Sequence, residues 1–220
     1  MIIITGASDG LGLQLAKLYQ AAGEKVVNIS RKSSEAADEN LLTDLSNPED
    51  IKRTAAILND NSEPITAVVN CAGVMSLEDV EHITPEEIQR TFAVNVMGPM
   101  QLVSALAGRI RTDGADIINV ASTVGTKAYE DQAAYGGSKW AMRGFSQNLQ
   151  LEFKNADCRV VSFCVGGFNS DIAKKVTGHA IQDPENWMNP EDIALFMKQI
   201  LDLPKNMEVS EVIINRKAAK

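Results

Sequence analysis

The 220-residue chain is long enough for one large α/β domain or two small ones, and no proline- or serine-rich linker, repeat or low-complexity tract divides it. Its net charge of −8 argues against a phosphate-backbone partner, and no apolar run approaches the ~20 residues a membrane helix needs. Met1-Ile2-Ile3-Ile4 runs straight into a glycine turn with nothing like a signal peptide, so a cytoplasmic protein is expected.

Residues 1–5 read as a short buried strand leading into Gly6-Ala7-Ser8-Asp9-Gly10-Leu11-Gly12. Leu11, Leu15, Leu18 and Tyr19 then recur at helical spacing until Gly23 ends the helix. Strand, glycine turn and helix form the context of a dinucleotide fingerprint. The glycines let the backbone approach a pyrophosphate, whose charge meets the free N–H groups and positive dipole end of the helix. Residues 24–30 read as the second strand, ending Asn28-Ile29-Ser30-Arg31-Lys32. NAD sites usually place a carboxylate ~20 residues past the glycines, where it holds the ribose 2′-hydroxyl. None stands here, and a guanidinium binds a 2′-phosphate bidentately, so Ser30 and Arg31 point to NADP(H). Asp9 pulls the other way, and NAD with Arg31 merely solvated stays open.

Residues 41–45 read as the third strand, Ser46 or Asn47 with Pro48 as a helix start, and 65–70 as the fourth strand, leading into Asn70-Cys71-Ala72-Gly73. Thr84-Pro85-Glu86-Glu87 opens a helix whose amphipathic pattern continues to about Arg111. Asn95-Val96-Met97-Gly98 interrupts it, because asparagine and glycine are poor helix-interior residues, and a local distortion is expected there. Residues 117–121 form an apolar run ended by Ser122. Tyr135 and Lys139, four apart, share one face of the next helix, which continues toward Phe153. An ammonium at roughly 4 Å, at an effective dielectric of about 20, stabilises a phenolate by about 4 kcal/mol. That would bring the Tyr135 pKa from about 10 toward about 7, the range of a useful general acid or base. A Ser122 hydroxyl aimed at the same helix would hydrogen-bond a substrate oxygen beside Tyr135.

Residues 159–165 read as a sixth strand, Pro190-Glu191-Asp192-Ile193 as the start of a last helix, and 209–214 as a last strand. Cys71, Cys158 and Cys164 have neither metal nor disulfide spacing and read as small buried thiols. His82 and His179 stand in polar, loop-like surroundings without an obvious partner. No metal site is expected.

In this order, with thirteen residues from Ser122 to Tyr135, the chain resembles the short-chain dehydrogenase/reductase family over nearly its whole length. The resemblance implies an α/β fold spanning 1–220, a single-domain, Rossmann-type, doubly wound and mostly parallel seven-stranded sheet with helices on both faces. Ligands then sit at the carboxyl ends of the strands. It implies reversible hydride transfer between NADP(H) and a small, mainly apolar carbonyl or secondary alcohol. Asn95, Ser122, Tyr135 and Lys139 would be the catalytic set, with Thr123 the adjacent hydroxyl most easily mistaken for Ser122. Tyr135 would act as general acid/base, Lys139 would lower its pKa and hold the cofactor ribose, and Asn95 would bind a water that links Lys139 to solvent.

The cofactor set by resemblance is Gly6, Ser8, Asp9, Gly10, Leu11, Gly12, Ser30, Arg31, Asp44, Leu45, Asn70, Ala72, Gly73, Tyr135, Lys139, Gly166, Phe168 and Ser170. Asp44 would hold the adenine amino group, and the turn after residue 165 the nicotinamide carboxamide. The chain departs from the family pattern at Cys71, at Val165 where proline is usual, and at Ser170 where threonine is usual. Val74, Met75, Lys127, Tyr129, Phe168 and Trp187 would line the substrate pocket, under a short covering segment at about 171–188. Helices 85–111 and 133–153 resemble the pair through which relatives dimerise, so a homodimer is expected, with a tetramer open. A dinucleotide-binding regulatory protein without turnover is the alternative of a different class.

Overall fold

The computed structural model of the chain describes residues 1–170, 172, 179 and 186–217. Strands β1 (Ile2–Thr5), β2 (Val26–Ser30), β3 (Glu39–Leu42), β4 (Ala67–Asn70), β5 (Asp116–Val120), β6 (Val160–Val165) and β7 (Glu211–Ile214) form one seven-stranded sheet. Their order is β3-β2-β1-β4-β5-β6-β7, and every neighbouring pair is parallel. The order reverses at β1, which makes the sheet doubly wound and puts the switch point between β1 and β4.

Helices α1 (Gly10–Ala21), α2 (Pro48–Asp60), α3 (Pro85–Phe92), α4 (Gly98–Asp113), α5 (Ala133–Glu152) and α6 (Pro190–Leu201) flank the sheet. The two-residue period of the strands divides the core. Ile2, Ile4 and Val69 pack with Leu15 of α1 and Met197 of α6, whereas Ile3, Val68 and Ile117 pack with Leu58, Leu106 and Leu149 of α2, α4 and α5. Burial on both faces is why these strands read as continuous apolar runs. The expected helix starts hold: Asn47, Thr84 and Asn189 cap α2, α3 and α6 from just before a proline, each accepting a backbone N–H of the first turn. No helix among the described residues is long and apolar enough to cross a membrane.

Most strand ends differ from the expectation by one or two residues, but β3 differs in register. It covers Glu39–Leu42 rather than 41–45. As an edge strand it is only partly buried, so polar Glu39 and Asn40 are tolerated. Thr43-Asp44-Leu45 instead enters a turn, where Asp44 accepts from the Ser46 N–H and hydroxyl at 2.8 and 2.7 Å and donates its own N–H to Asp50 at 3.0 Å. The expected distortion in the long helix is a π turn, Ala93–Met97, between α3 and α4. A Cβ on Gly98, just after it, would lie 2.5 Å from the Leu45 carbonyl oxygen, so glycine is what lets α4 meet the β3 turn.

Candidate active site

The turns after β1 and β4 touch backbone to backbone. Gly6 has a φ of +76°, and a Cβ there would lie 2.9 Å from Ala72 Cα. A Cβ on Gly12 would run into the Gly6 carbonyl. Thr5, fully buried at the end of β1, accepts the N–H groups of Cys71 and Ala72, both at 3.0 Å. Sequence reasoning passed over Thr5; a buried hydroxyl closing a strand beside a glycine turn was the available signal. Asp9 caps α1 by accepting the Gly10 N–H at 2.8 Å. The cradle that side chains would fill, at the positive end of a 12-residue helix, fits a dinucleotide pyrophosphate.

Beside this cradle, Ser30 Oγ lies 3.1 Å from Ser8 Oγ and 2.6 Å from the Lys32 carbonyl oxygen. Arg31 is exposed. The Ser46 hydroxyl and N–H, with the nearby Arg31 charge, hold the Asp44 carboxyl below the usual range. Leu45 is buried against Gly98. Asn70, at the end of β4, donates to Asn119 at 2.8 Å; Asn119 donates to Ser146 at 2.9 Å, which ties the β4 turn to α5 through the core.

Ser122 follows β5 and caps the short 3-10 turn Thr123–Gly125, accepting the Val124 N–H at 3.3 Å. A Cβ on Gly125 would lie 2.8 Å from the Lys139 carbonyl oxygen, so this turn packs directly on α5. Ser122 is thereby brought beside Tyr135, whose titration its hydroxyl affects. Lys139 is 6% exposed; its Nζ donates to the Val120 carbonyl at 3.0 Å and stands 5.7 Å from the Tyr135 ring centroid. Burial pulls the Lys139 pKa down to about 8. Burial also raises the Tyr135 pKa, with the Ser122 hydroxyl opposing. This corrects the expectation that Lys139 draws the Tyr135 pKa down toward 7. The ammonium donates to the Val120 carbonyl, and burial of the phenol is the largest effect on its titration.

Asn95 sits in the π turn and is 2% exposed. Its Oδ1 accepts the Val74 N–H and its Nδ2 donates to the Val74 carbonyl, both at 2.8 Å, and Nδ2 also donates to Ser138 Oγ at 3.1 Å. The side chain thus splints the segment after Gly73 to α5. A Cβ on Gly73 would lie 3.4 Å from Asn95 Oδ1 and 3.6 Å from Lys139 Nζ, so the β4 turn, π turn and α5 converge on one point. Cys71 is partly exposed rather than buried, as is Cys158, and desolvation pushes the Cys71 thiol up to about 12 against the opposing Lys139 charge.

Past β6, the Gly166 N–H donates to the Ile214 carbonyl at 2.8 Å, Phe168 pairs with Met188, and the ring of Trp187 abuts Gly167. The Arg216 guanidinium stacks 4.3 Å over Trp187, and Lys127 stands 5.2 Å from the Tyr129 ring centroid. Ser170 closes this loop, half-buried; of the expected covering segment, residues 171, 173–178 and 180–185 lie outside the described residues. His82 does have a partner, Asp79, at 2.7 Å, an exposed pair at the i,i+3 spacing, and His179 also takes part in an interaction. Among the described residues no group of three or more His, Cys, Asp or Glu could hold a metal. A groove of about 350 Å³ between α2 and α4, lined by residues such as Ile51, Ala55 and Ala105, contains none of the motif residues.

The short chain dehydrogenase profile matches residues 1–180. The chain belongs to the short-chain dehydrogenase/reductase family. This short-chain dehydrogenase is an enzyme, an oxidoreductase acting on CH–OH or C=O groups. It is 30% identical to carbonyl reductase family member 4 of Xenopus laevis over 217 residues, 91% of this chain and 90% of the relative. A serine dehydrogenase in its closed form with NADP+ superposes with a TM-score of 0.86 at 23% identity, covering 97% of this chain and 94% of that one. A 4-hydroxyisoleucine dehydrogenase with NADH and succinate gives 0.82 at 24%, covering 98% of each. Both show the fold of this short-chain dehydrogenase.

Proposed function

We propose that this enzyme reversibly reduces a small, mainly apolar carbonyl to a secondary alcohol with NADP(H), as a single dinucleotide-binding and catalytic domain. The observation that carries the reading is the convergence of Ser122, on its turn packed against α5, with Tyr135 and a buried Lys139. When bound, the nicotinamide supplies or takes the hydride. Ser122 and Tyr135 hold the substrate oxygen, and Tyr135 gives its proton to the developing alkoxide in reduction. Burial keeps the phenol protonated, which suits it to that direction. In oxidation Tyr135 must lose its proton, and a charged Lys139 favours the phenolate. Lys139 would hold the ribose hydroxyls of a bound cofactor, which would offset part of its desolvation. Asn95, splinting Val74 to α5, keeps this end in register and stands where a water would resupply the proton.

Gly6, Ser8, Asp9, Gly10, Leu11 and Gly12 would cradle the pyrophosphate. Asp44, Leu45, Asn70, Ala72 and Gly73 would border the adenosine, and Gly166, Phe168 and Ser170 the nicotinamide. Ser30 and Arg31 favour a 2′-phosphate; relatives of this fold carry NADP+ in one case and NADH in another. A charge-assisted hydrogen bond of roughly 1.5–3 kcal/mol makes NADPH about 10–150-fold tighter than NADH. NAD use is the second reading, favoured by Asp44, which already feels the Arg31 charge. Titrating the protein with NADPH and NADH by fluorescence tests the cofactor choice; NADH binding as well as NADPH overturns it. Assembly as a cytoplasmic homodimer through α3, α4 and α5 completes the proposal, with sedimentation as its check: a monomer at micromolar concentration contradicts it.

A further inference from the structure

Asn28 lies in the middle of β2, paired in register with Asn40 of β3, and is fully buried. Its Nδ2 donates to the Lys32 carbonyl at 2.9 Å and to Asn40 Oδ1 at 2.8 Å. Asn40 in turn accepts the Ser34 N–H at 2.7 Å and donates to the Ser34 carbonyl at 3.3 Å, so backbone groups fix the orientation of both amides. Asn28 Oδ1, however, has no hydrogen-bond partner. A buried orphan acceptor is costly, and proteins keep one where something other than stability needs it. The donor side is not needed for stability either. Without Asn28, the Lys32 carbonyl keeps Ser30 Oγ at 2.6 Å and Asn40 Oδ1 keeps the Ser34 N–H. An apolar residue at 28 would strand no polar group and would remove the orphan. What Asn28 adds is a link that Ser30 does not make: it joins the Lys32 carbonyl, on the far side of Arg31, to Asn40 of β3 and through it to Ser34, whereas Ser30 ties Lys32 only to the end of β2 and to Ser8.

We propose that Asn28 is a positioning residue for cofactor choice, fixing the 30–34 loop so that Arg31 is presented to the 2′ position of the adenosine ribose. This rests on the reading that Ser30 and Arg31 meet a 2′-phosphate. A preset guanidinium loses less freedom on binding, and releasing the clamp returns that loss only to the ligand that uses Arg31. NADPH and NADH are titrated by fluorescence against wild type and Asn28→Val, with Asn28→Ala in reserve should valine not be accommodated, and thermal unfolding is recorded for each. The NADPH preference falls by about 2–12-fold, the range for ordering one flexible side chain. NADH affinity stays within about twofold, and Tm is equal to or above wild type. A variant that keeps the wild-type preference, loses both cofactors in parallel, or melts several degrees lower overturns the positioning role while leaving the Arg31 reading intact. A wild type without any NADPH preference overturns both.

Discussion

The two ends of the site are built on opposite principles. At the glycine-turn end, backbone and small side chains interlock at the surface: Gly6 against Ala72, Ser8 against Ser30, Arg31 exposed. Around Tyr135 the ionisable groups are desolvated: Lys139 down to about 8, Tyr135 raised, Cys71 up to about 12. Recognition by shape and charge needs little desolvation, whereas proton transfer is served by groups held off their solution pKa values. The difference implies that substitutions at the first end should change which ligand binds, and those at the second how fast it reacts.

Tyr135→Phe is the strongest way to sharpen that contrast. It removes the proton donor but touches no part of the glycine cradle, so turnover should fall ~10²–10⁴-fold while NADPH affinity holds. Parallel loss of both would merge the two ends. At the other end, Ser30→Asp with Arg31→Ala should reverse the cofactor order, since a carboxylate repels a 2′-phosphate and accepts from a ribose hydroxyl. The swing is of the order of 10–150-fold in the ratio of dissociation constants, with kcat little changed, and the lower end of that range applies at high salt.

Thr5→Val probes the join between the ends. It deprives the Cys71 and Ala72 N–H groups of their shared acceptor, and the loss in chemical denaturation should be about 1–3 kcal/mol. An unchanged midpoint would mean that the glycine turn holds the β4 turn without it.

The smallest effect concerns Lys139, whose depressed pKa means that the fold carries a desolvation cost wherever the ammonium persists. Below about pH 8 both native and unfolded chains hold that proton and the cost is full. Between about 8 and the ordinary 10.5, the unfolded chain binds more protons, so stability contributed by this group rises with pH. Lys139→Met should therefore be more stable than wild type at pH 7 by about 1 kcal/mol, once the lost bond to Val120 is offset. That advantage should narrow above pH 8, as read by thermal unfolding; a widening gap would reverse the sign.

Much of this was legible in the residues themselves. Asn95 and Gly98 announced a distortion in the long helix, and proline after Asn47, Thr84 and Asn189 announced three helices, because these residues act on their own backbone. What depends on burial was not. Spacing puts Tyr135 and Lys139 on one face, but the sign of the Tyr135 shift is set by how much water the surrounding strands exclude. Leu41-Leu42 looked like the opening of a strand because apolar runs mark central strands, whereas β3 is an edge. The Asn28–Asn40 pair needed the register of β2 against β3, which only the paired strands reveal.

The central claim, that this cluster turns over carbonyls with NADP(H), is tested most directly by following NADPH absorbance across a broad carbonyl panel, with NADH in parallel. Carbonyl-dependent oxidation of NADPH, faster than that of NADH and absent in Tyr135→Phe, is expected. NADPH that binds but is oxidised by no carbonyl, or turnover within about threefold of wild type in Tyr135→Phe, would contradict it.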